Sequence, residues 1–382
     1  MKRFAGLFVS GLVLSAGVLV SGPAEAAPAK FIPAKGKAIA DQYIVVMKDG
    51  PSINASSVAQ SVGASPKYVY DAVLNGFAAK LNRGQLKALQ NNPNVAYIEQ
   101  DSEVSIDATQ TGAPWNLDRI DQRNLPLDGR YTVGTTAANV TAYIIDTGIY
   151  TAHSQFGGRA SVGYDALGGN GQDCNGHGTH VGGTVGGIIS GVAKGVKLVV
   201  VRVLDCNGSG SWAGVIAGMN WVANNAVRPA VANMSLGGAA NTSVDNAATN
   251  MVNRGIFTSV AAGNSAANAC NYSPARASGV VTVAASDRTD TSASFTNYGS
   301  CVEIYAPGVN ITSTWLNGGT NTISGTSMAA PHVAGAGALY LAGNPGASPS
   351  TVSSWIINNA TVGVLKNVPP GTPNRLLYVG GF

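Results

Sequence analysis

The sequence predicts two units in tandem: a small α+β unit, then a larger α/β domain whose mostly parallel sheet is flanked by helices. Three observations carry this. Past residue 107, short near-continuous apolar runs alternate with glycine-rich stretches of helical length, the pattern of strands covered on both faces. Before that point the runs follow the order strand, helix, strand, strand, helix, strand, a split βαβ, ferredoxin-like arrangement. Charged residues also thin out past Asp107, so the two parts differ in composition as well as in pattern.

The elements follow in order. Lys2 and Arg3 precede an apolar run from residue 4 to about residue 20, then Pro23 and Ala24-Glu25-Ala26. This is the charge, apolar stretch and small-residue site of a secretory signal peptide cut after Ala26. The alternative is a membrane anchor, for which the run is at the short end. No later segment is long and apolar enough to span, so no membrane attachment is expected after processing. Residues 27–107 offer a strand at 42–48, a helix at about 52–62, strands at 68–74 and 76–81, a helix at 83–91 and a strand at 95–99, then a polar, extended tail over 101–112. Residues 108–382 offer strands at 140–145, 197–203, 231–234, 257–261 and 280–284. In open sheets of this kind ligands sit beyond the carboxyl ends of the strands.

Composition narrows the function. With 23 Lys and Arg against 19 Asp and Glu, a net charge of +4 and only 11% charged residues, the chain has neither a nucleic-acid-binding arm nor an acidic tail. Its 49 glycines show no three-residue period, which excludes a fibre. Secretion lets disulfides persist, so Cys174, Cys206, Cys270 and Cys301 read as two bridges. Three pairings are possible, and none of the spacings is that of a zinc ribbon or redox motif.

Only His153, His177, His180 and His332 can serve a histidine-based mechanism. Asp146 ends an apolar strand, where a carboxylate is costly without a partner. His177 opens the run Asn175-Gly176-His177-Gly178-Thr179-His180, whose small residues allow tight helix packing. Ser327 lies in Ser324-Gly325-Thr326-Ser327-Met328-Ala329, a loop feeding an Ala-rich helix, where the helix N-terminus favours a developing anion. Singly, each has an ordinary role as cap or core residue. The α/β-hydrolase arrangement is excluded because its base follows the nucleophile, and the one later histidine, His332, lies five residues on in the same helix. Nucleotide binding is excluded because the glycine runs hold neither a GxGxxG turn after a strand nor a Walker lysine.

The motifs Ile145-Asp146-Thr147-Gly148, His177-Gly178-Thr179-His180 and Gly325-Thr326-Ser327-Met328-Ala329, in that order, resemble those of the subtilisin-like serine proteases. The likeness covers nearly all of residues 108–382 and is strongest to the proteinase K branch and its aqualysin-type bacterial members. It implies a subtilisin-like fold and a secreted serine endopeptidase, with Ser327 as nucleophile, His177 as base and then acid, Asp146 orienting His177, and Asn264 holding the oxyanion. It implies a substrate paired as an added strand between Gly208, Ser209, Gly210 and Trp212 on one edge and Ser235, Leu236 and Gly237 on the other. Gly237 and Gly263 would leave room for an aromatic or large aliphatic side chain before the scissile bond. Residues 27–107 resemble the family's inhibitory propeptide, its own folding aid and inhibitor, released near Asp107–Ala108. The resemblance also implies bridges Cys174–Cys206 and Cys270–Cys301, a monomer, and structural calcium at Asp118, Asp121, Gln122 and Asp128. A second calcium site would use Glu303 with the carbonyls of Ser278 and Val280, although relatives carry Asp at that position. A third family site lacks its acid, since Val364 stands there. The reading from another class is a secreted, catalytically silent binding protein of the same fold.

Overall fold

The computed structural model describes residues 27–34, 38–50, 53–72, 74–102 and 108–381. The expected signal peptide and Asp107, at the expected junction, lie outside the described residues. The chain divides into two compact units, residues 1–104 and 105–382.

In the first unit, β1 (Lys30–Ile32), β2 (Ala38–Met47), α1 (Ala55–Ser61), β3 (Pro66–Tyr70), β4 (Gly76–Lys80), α2 (Arg83–Gln90) and β5 (Val95–Ser102) follow one another. The sheet order is β1-β5-β2-β4-β3. Alternating apolar residues face the two helices and bury Val45, Phe77, Ala79, Leu89 and Ile98 in one core. Asn54 caps α1, and Asn82 with Gln85 forms a capping box on α2, which fixes where both helices start. The short edge strand β1 was not expected; it has no alternation and is held by parallel pairing to β5.

The second unit continues with β6 (Ala108–Thr111), α3 (Trp115–Ile120), β7 (Arg130–Val133), β8 (Thr141–Asp146), β9 (Ala160–Asp165), α4 (His177–Gly186), β10 (Lys197–Arg202), α5 (Trp212–Asn225), β11 (Ala230–Met234), β12 (Gly238–Ala239), α6 (Thr242–Asn253), β13 (Phe257–Ala261), β14 (Tyr272–Ser273), β15 (Val281–Ser286), β16 (Ile304–Pro307), β17 (Ile311–Thr314), β18 (Thr320–Ile323), α7 (Thr326–Gly343), α8 (Pro349–Asn359), β19 (Thr361–Val362) and β20 (Arg375–Leu376). Nine strands form one sheet in the order β19-β20-β16-β15-β13-β11-β8-β10-β9, parallel throughout except for β19 with β20. Helices α4, α7 and α8 share one core with one face of this sheet, and α5 and α6 share a second core with the other. The sequence expects residues 108–112 to be part of an extended tail. Instead Ala108–Thr111 is a strand paired antiparallel with β7, an order supplied by its partner strand and not by local propensity.

This topology positions chemistry. Strands β13, β11 and β8 are adjacent, so the segments leaving their carboxyl ends, at Asn264, Ser235 and Asp146, lie side by side. Helix α7 is apolar on every face and runs through the core, because Gly335 and Gly337 leave no room for a Cβ against Val192 and Phe257. Disulfides join Cys174 to Cys206 and Cys270 to Cys301, the pairing the family resemblance implies.

Candidate active site

The turn after β8 lies directly on the loop that feeds α4. Gly148 has φ +114°, and a Cβ there would come within 2.8 Å of Asp173 N; a Cβ on Gly178 would meet Gly148 O at 2.1 Å. These two glycines let the helix start descend onto the strand end. As a result Asp146 Oδ1 accepts from both His177 Nδ1 and Thr147 N at 2.7 Å. Asp146 is fully buried, and its Oδ2 has no protein partner. Because the carboxylate can only accept, Nδ1 of His177 carries the proton and Nε2 is the basic nitrogen. Burial lowers the pKa of His177, but the Asp146 charge, the hydrogen bond to it and the charge of Asp173 outweigh burial and leave it raised above 6.5.

The other imidazoles are held in structural bonds. His180 Nε2 meets Ile311 O at 2.9 Å, and His332 lies between Met328 O and Asn116 Nδ2; burial pushes both down to about 4. His153 Nε2 meets Gly319 O at 2.9 Å.

Ser327 is the second residue of α7, whose N-cap Gly325 has no side chain to offer, and at that position its backbone N–H has no helical partner. Its hydroxyl donates to Ser235 O at 3.2 Å, and Ser235 Oγ returns a bond of 2.8 Å to Ser327 O. Asn233 Nδ2 in turn donates to Ser235 Oγ at 2.9 Å. The expected convergence of three side chains is therefore only partly formed. Asp146 and His177 are bonded, whereas the Ser327 hydroxyl donates to the Ser235 carbonyl and makes no bond to His177. Asn264 sits on the loop after β13. Its Oδ1 accepts from Thr326 N at 2.9 Å and Thr326 Oγ1 at 2.8 Å, which orients the amide and leaves Nδ2 without a partner among the described residues.

A cleft of about 560 Å³ is lined by His177, Gly208, Ser209, Gly210, Trp212 and the 235–238 segment. A pocket of about 300 Å³ adjoins it through Leu236, Gly237 and Gly238, and holds Ser327, Asn264 and Gly263 in its wall. All the substrate-edge residues expected from the sequence thus line one or other of these two neighbouring cavities. Gly263 needs its φ of +102°, and a Cβ there would strike Asn297 Nδ2 at 2.4 Å.

Residues 138–378 match the profile of the subtilase family, and residues 42–107 match that of peptidase inhibitor I9. The chain belongs to the subtilase family. This subtilase is 53% identical over 320 residues to the extracellular serine proteinase of Thermus sp. (strain Rt41A), covering 83% of this chain and 78% of the relative. It is 51% identical over 363 residues to alkaline serine exoprotease A of Vibrio alginolyticus, covering 89% and 68%. Among solved structures, a cold adapted subtilisin-like serine proteinase aligns with a TM-score of 0.70 at 51% identity, covering 71% of this chain and all of that one. The subtilase is a serine endopeptidase with an I9-type propeptide.

The calcium expectations meet a different arrangement. Among the described residues no three acidic, histidine or cysteine side chains are grouped to hold a metal ion. Asp118 accepts from Asp128 N and Gly129 N, Asp121 from Thr132 N, and Asp128 from Arg130 N, so each carboxylate is turned onto backbone donors. Gln122 Nε2 donates to Pro126 O at 2.8 Å. Burial, with the charges of Asp118 and Asp128, pushes Asp121 up to about 6. Glu303 accepts from Thr282 N at 2.6 Å and is pushed by burial to about 7, and Ser278 O accepts from Thr249 Oγ1. In the expected second cation site, Glu303 is thus turned onto the Thr282 amide and the Ser278 carbonyl onto the Thr249 hydroxyl.

Sequence reasoning missed Asp173, Asn233, Asn297 and Thr326, all buried and each bonded to a site segment. Only Asp173 carried a signal, as an acid just before a helix start.

Proposed function

We propose that this chain is a secreted, self-processing serine endopeptidase in which residues 1–26 are a signal peptide, 27–107 the inhibitory propeptide and 108–382 a monomeric catalytic domain. The observation that carries the reading is the 2.7 Å bond from His177 to a fully buried Asp146, with His177 lining a cleft and Ser327 and Asn264 lining the pocket that adjoins it. Ser327 Oγ attacks the scissile carbonyl carbon while His177 Nε2 takes its proton; Asp146 stabilises the imidazolium. The oxyanion is met by Asn264 Nδ2 and Ser327 N–H, donors that have no partner among the described residues. Collapse passes the proton from His177 to the leaving amine, and a water, activated by His177, releases the acyl group. The Ser327 hydroxyl reaches His177 by rotating about its Cα–Cβ bond away from Ser235 O.

Leu236 and Gly237 have no backbone partner among the described residues, which supports substrate addition as a strand with loose side-chain selectivity. The pocket wall of Leu236, Gly237, Ala261, Ala262, Gly263 and Ala275 carries no charge, which supports aromatic or large aliphatic residues before the scissile bond. A structural calcium ion at Asp118, Asp121, Gln122 and Asp128 would relieve the repulsion among the carboxylates, drawing them off their backbone donors, and would supply no chemistry to the peptide bond. The test is the purified Ser327→Ala precursor. It should stay uncut while the wild type converts to a chain starting near Ala108, and unaided conversion of the variant would contradict the reading.

A further inference from the structure

Four residues before His177 lies a carboxylate that the reaction does not use. Asp173 is buried and accepts five hydrogen bonds, all from uncharged donors. Oδ1 takes Thr147 Oγ1 at 2.9 Å, Asn175 N at 2.9 Å and Gly176 N at 3.0 Å, and Oδ2 takes Thr179 N at 2.9 Å and Thr179 Oγ1 at 2.6 Å. No ion pair reaches it among the described residues. Five donors converge on the two oxygens, and only a carboxylate accepts on both, so the geometry places an ionised side chain here although no cation pairs with it.

The donors come from both sides of the Asp146–His177 bond. Thr147 follows Asp146, gives its N–H to the Asp146 carboxylate and its hydroxyl to Asp173, and accepts from Gly178 N at 2.9 Å. Asn175, Gly176 and Thr179 surround His177 in sequence. The Asp146 turn and the His177 helix start are thus tied to the same carboxylate. Of the elements packed on α4, β8 presents Asp146, α7 presents His332, the helical turn Ser154–Phe156 follows His153, and β10 presents Lys197 and Arg202, the latter paired with Asp165. His180 lies one turn along α4 itself. Asp173 is therefore the second negative charge acting on His177, and its charge contributes to the raised pKa of that histidine.

We propose that Asp173 is a positioning residue for the reaction: its buried charge holds the Asp146–His177 pair in register and stabilises the imidazolium that forms when His177 takes the serine proton. The inference rests on the triad reading above, and two readouts keep the failures apart.

The first readout needs no catalysis. In Ser327→Ala precursors labelled at histidine, the NMR titration midpoint of His177 should fall by about one pH unit when Asp173→Asn is added. An unchanged midpoint in a folded variant overturns the inference and leaves the triad standing. The second readout is the acid limb of kcat/KM in mature enzyme on a chromogenic peptide. Since His177 must be neutral to act as base, losing a charge that raises its pKa moves the limb to lower pH. Asp173→Asn should show this shift with lower kcat and similar KM, while Asp173→Glu, which keeps the charge, should retain the wild-type limb. A midpoint that falls with no movement of the limb removes His177 as the base and leaves its coupling to Asp173 intact. If Asp173→Asn does not fold, Thr147→Val carries the test. It removes the Thr147 tie to Asp173, together with the acceptor of Gly178 N, and keeps the charge, so kcat should fall with the limb in place, and wild-type kcat in that variant overturns the positioning role.

Discussion

The two halves of the proposed catalytic constellation differ in how completely they are assembled. The acid–base half is locked: Asp146 is buried and bonded to His177 at 2.7 Å, and Asp173 ties both supporting segments together. The nucleophile half is only poised. Ser327 Oγ is bonded to Ser235 O, and Asn264 is oriented by Thr326 while its Nδ2 has no partner among the described residues. The difference shows where rigidity is needed. A proton acceptor must hold its tautomer and proton affinity before substrate arrives, whereas a hydroxyl needs only one torsion to change.

The comparison can be broken most severely at the locked half. Asp146→Asn should lower kcat by about 10⁴ with the fold retained, because His177 then loses both its orientation and the charge that stabilises its imidazolium. Steady-state kinetics on a peptide substrate check this, and a loss below tenfold would mean the 2.7 Å bond is structural. In the poised half, Asn264→Leu should lower kcat by about 10² to 10³, or roughly 2.7–4 kcal/mol, with little change in KM, since the amide meets charge that exists only in the transition state. An effect confined to KM would move Asn264 from chemistry to substrate binding. Replacing Cys174 and Cys206 together by Ser should reduce stability by roughly 3 to 4 kcal/mol, the loop-entropy value for a separation of 32 residues, as read by denaturant unfolding. The smallest effect sharpens the picture of the poised half: Thr326→Val removes one of two donors that orient Asn264 and should lower kcat by roughly tenfold or less, about 1 kcal/mol.

Much of this architecture was legible in the chain. The buried strands were announced by their apolar runs, and β13 has the bounds its sequence gives, the buried hydroxyls of its Thr258 and Ser259 being satisfied by Ile256 O and Ala330 O. Strands β9 and β16 were not anticipated. β9 is an edge strand with exposed residues and weak patterning, and β16 is short, so partners and not propensity define both. At the site, the glycine-framed motifs located Asp146, His177, Ser327 and Asn264. The residues that hold them were illegible: Asn233 and Asn297 lie in loops and strands rich in Asn, and only the folded chain reveals which of these amides are fully buried. The bond from the Ser327 hydroxyl to Ser235 O was equally invisible, since a hydroxyl torsion leaves no trace in sequence. The calcium loop illustrates the reverse problem, because Asp118, Asp121 and Asp128 have suitable oxygens whose direction only the structure gives.

The central claim is that one serine hydroxyl, activated by the Asp146-bound imidazole, is the nucleophile. Titrating mature enzyme with a fluorophosphonate and mapping the adduct by mass spectrometry tests it most directly. One equivalent bound on Ser327, with complete loss of activity and no labelling after His177→Ala, is the result this account predicts. Labelling elsewhere, or full activity in a chain that never takes up the reagent, would contradict it.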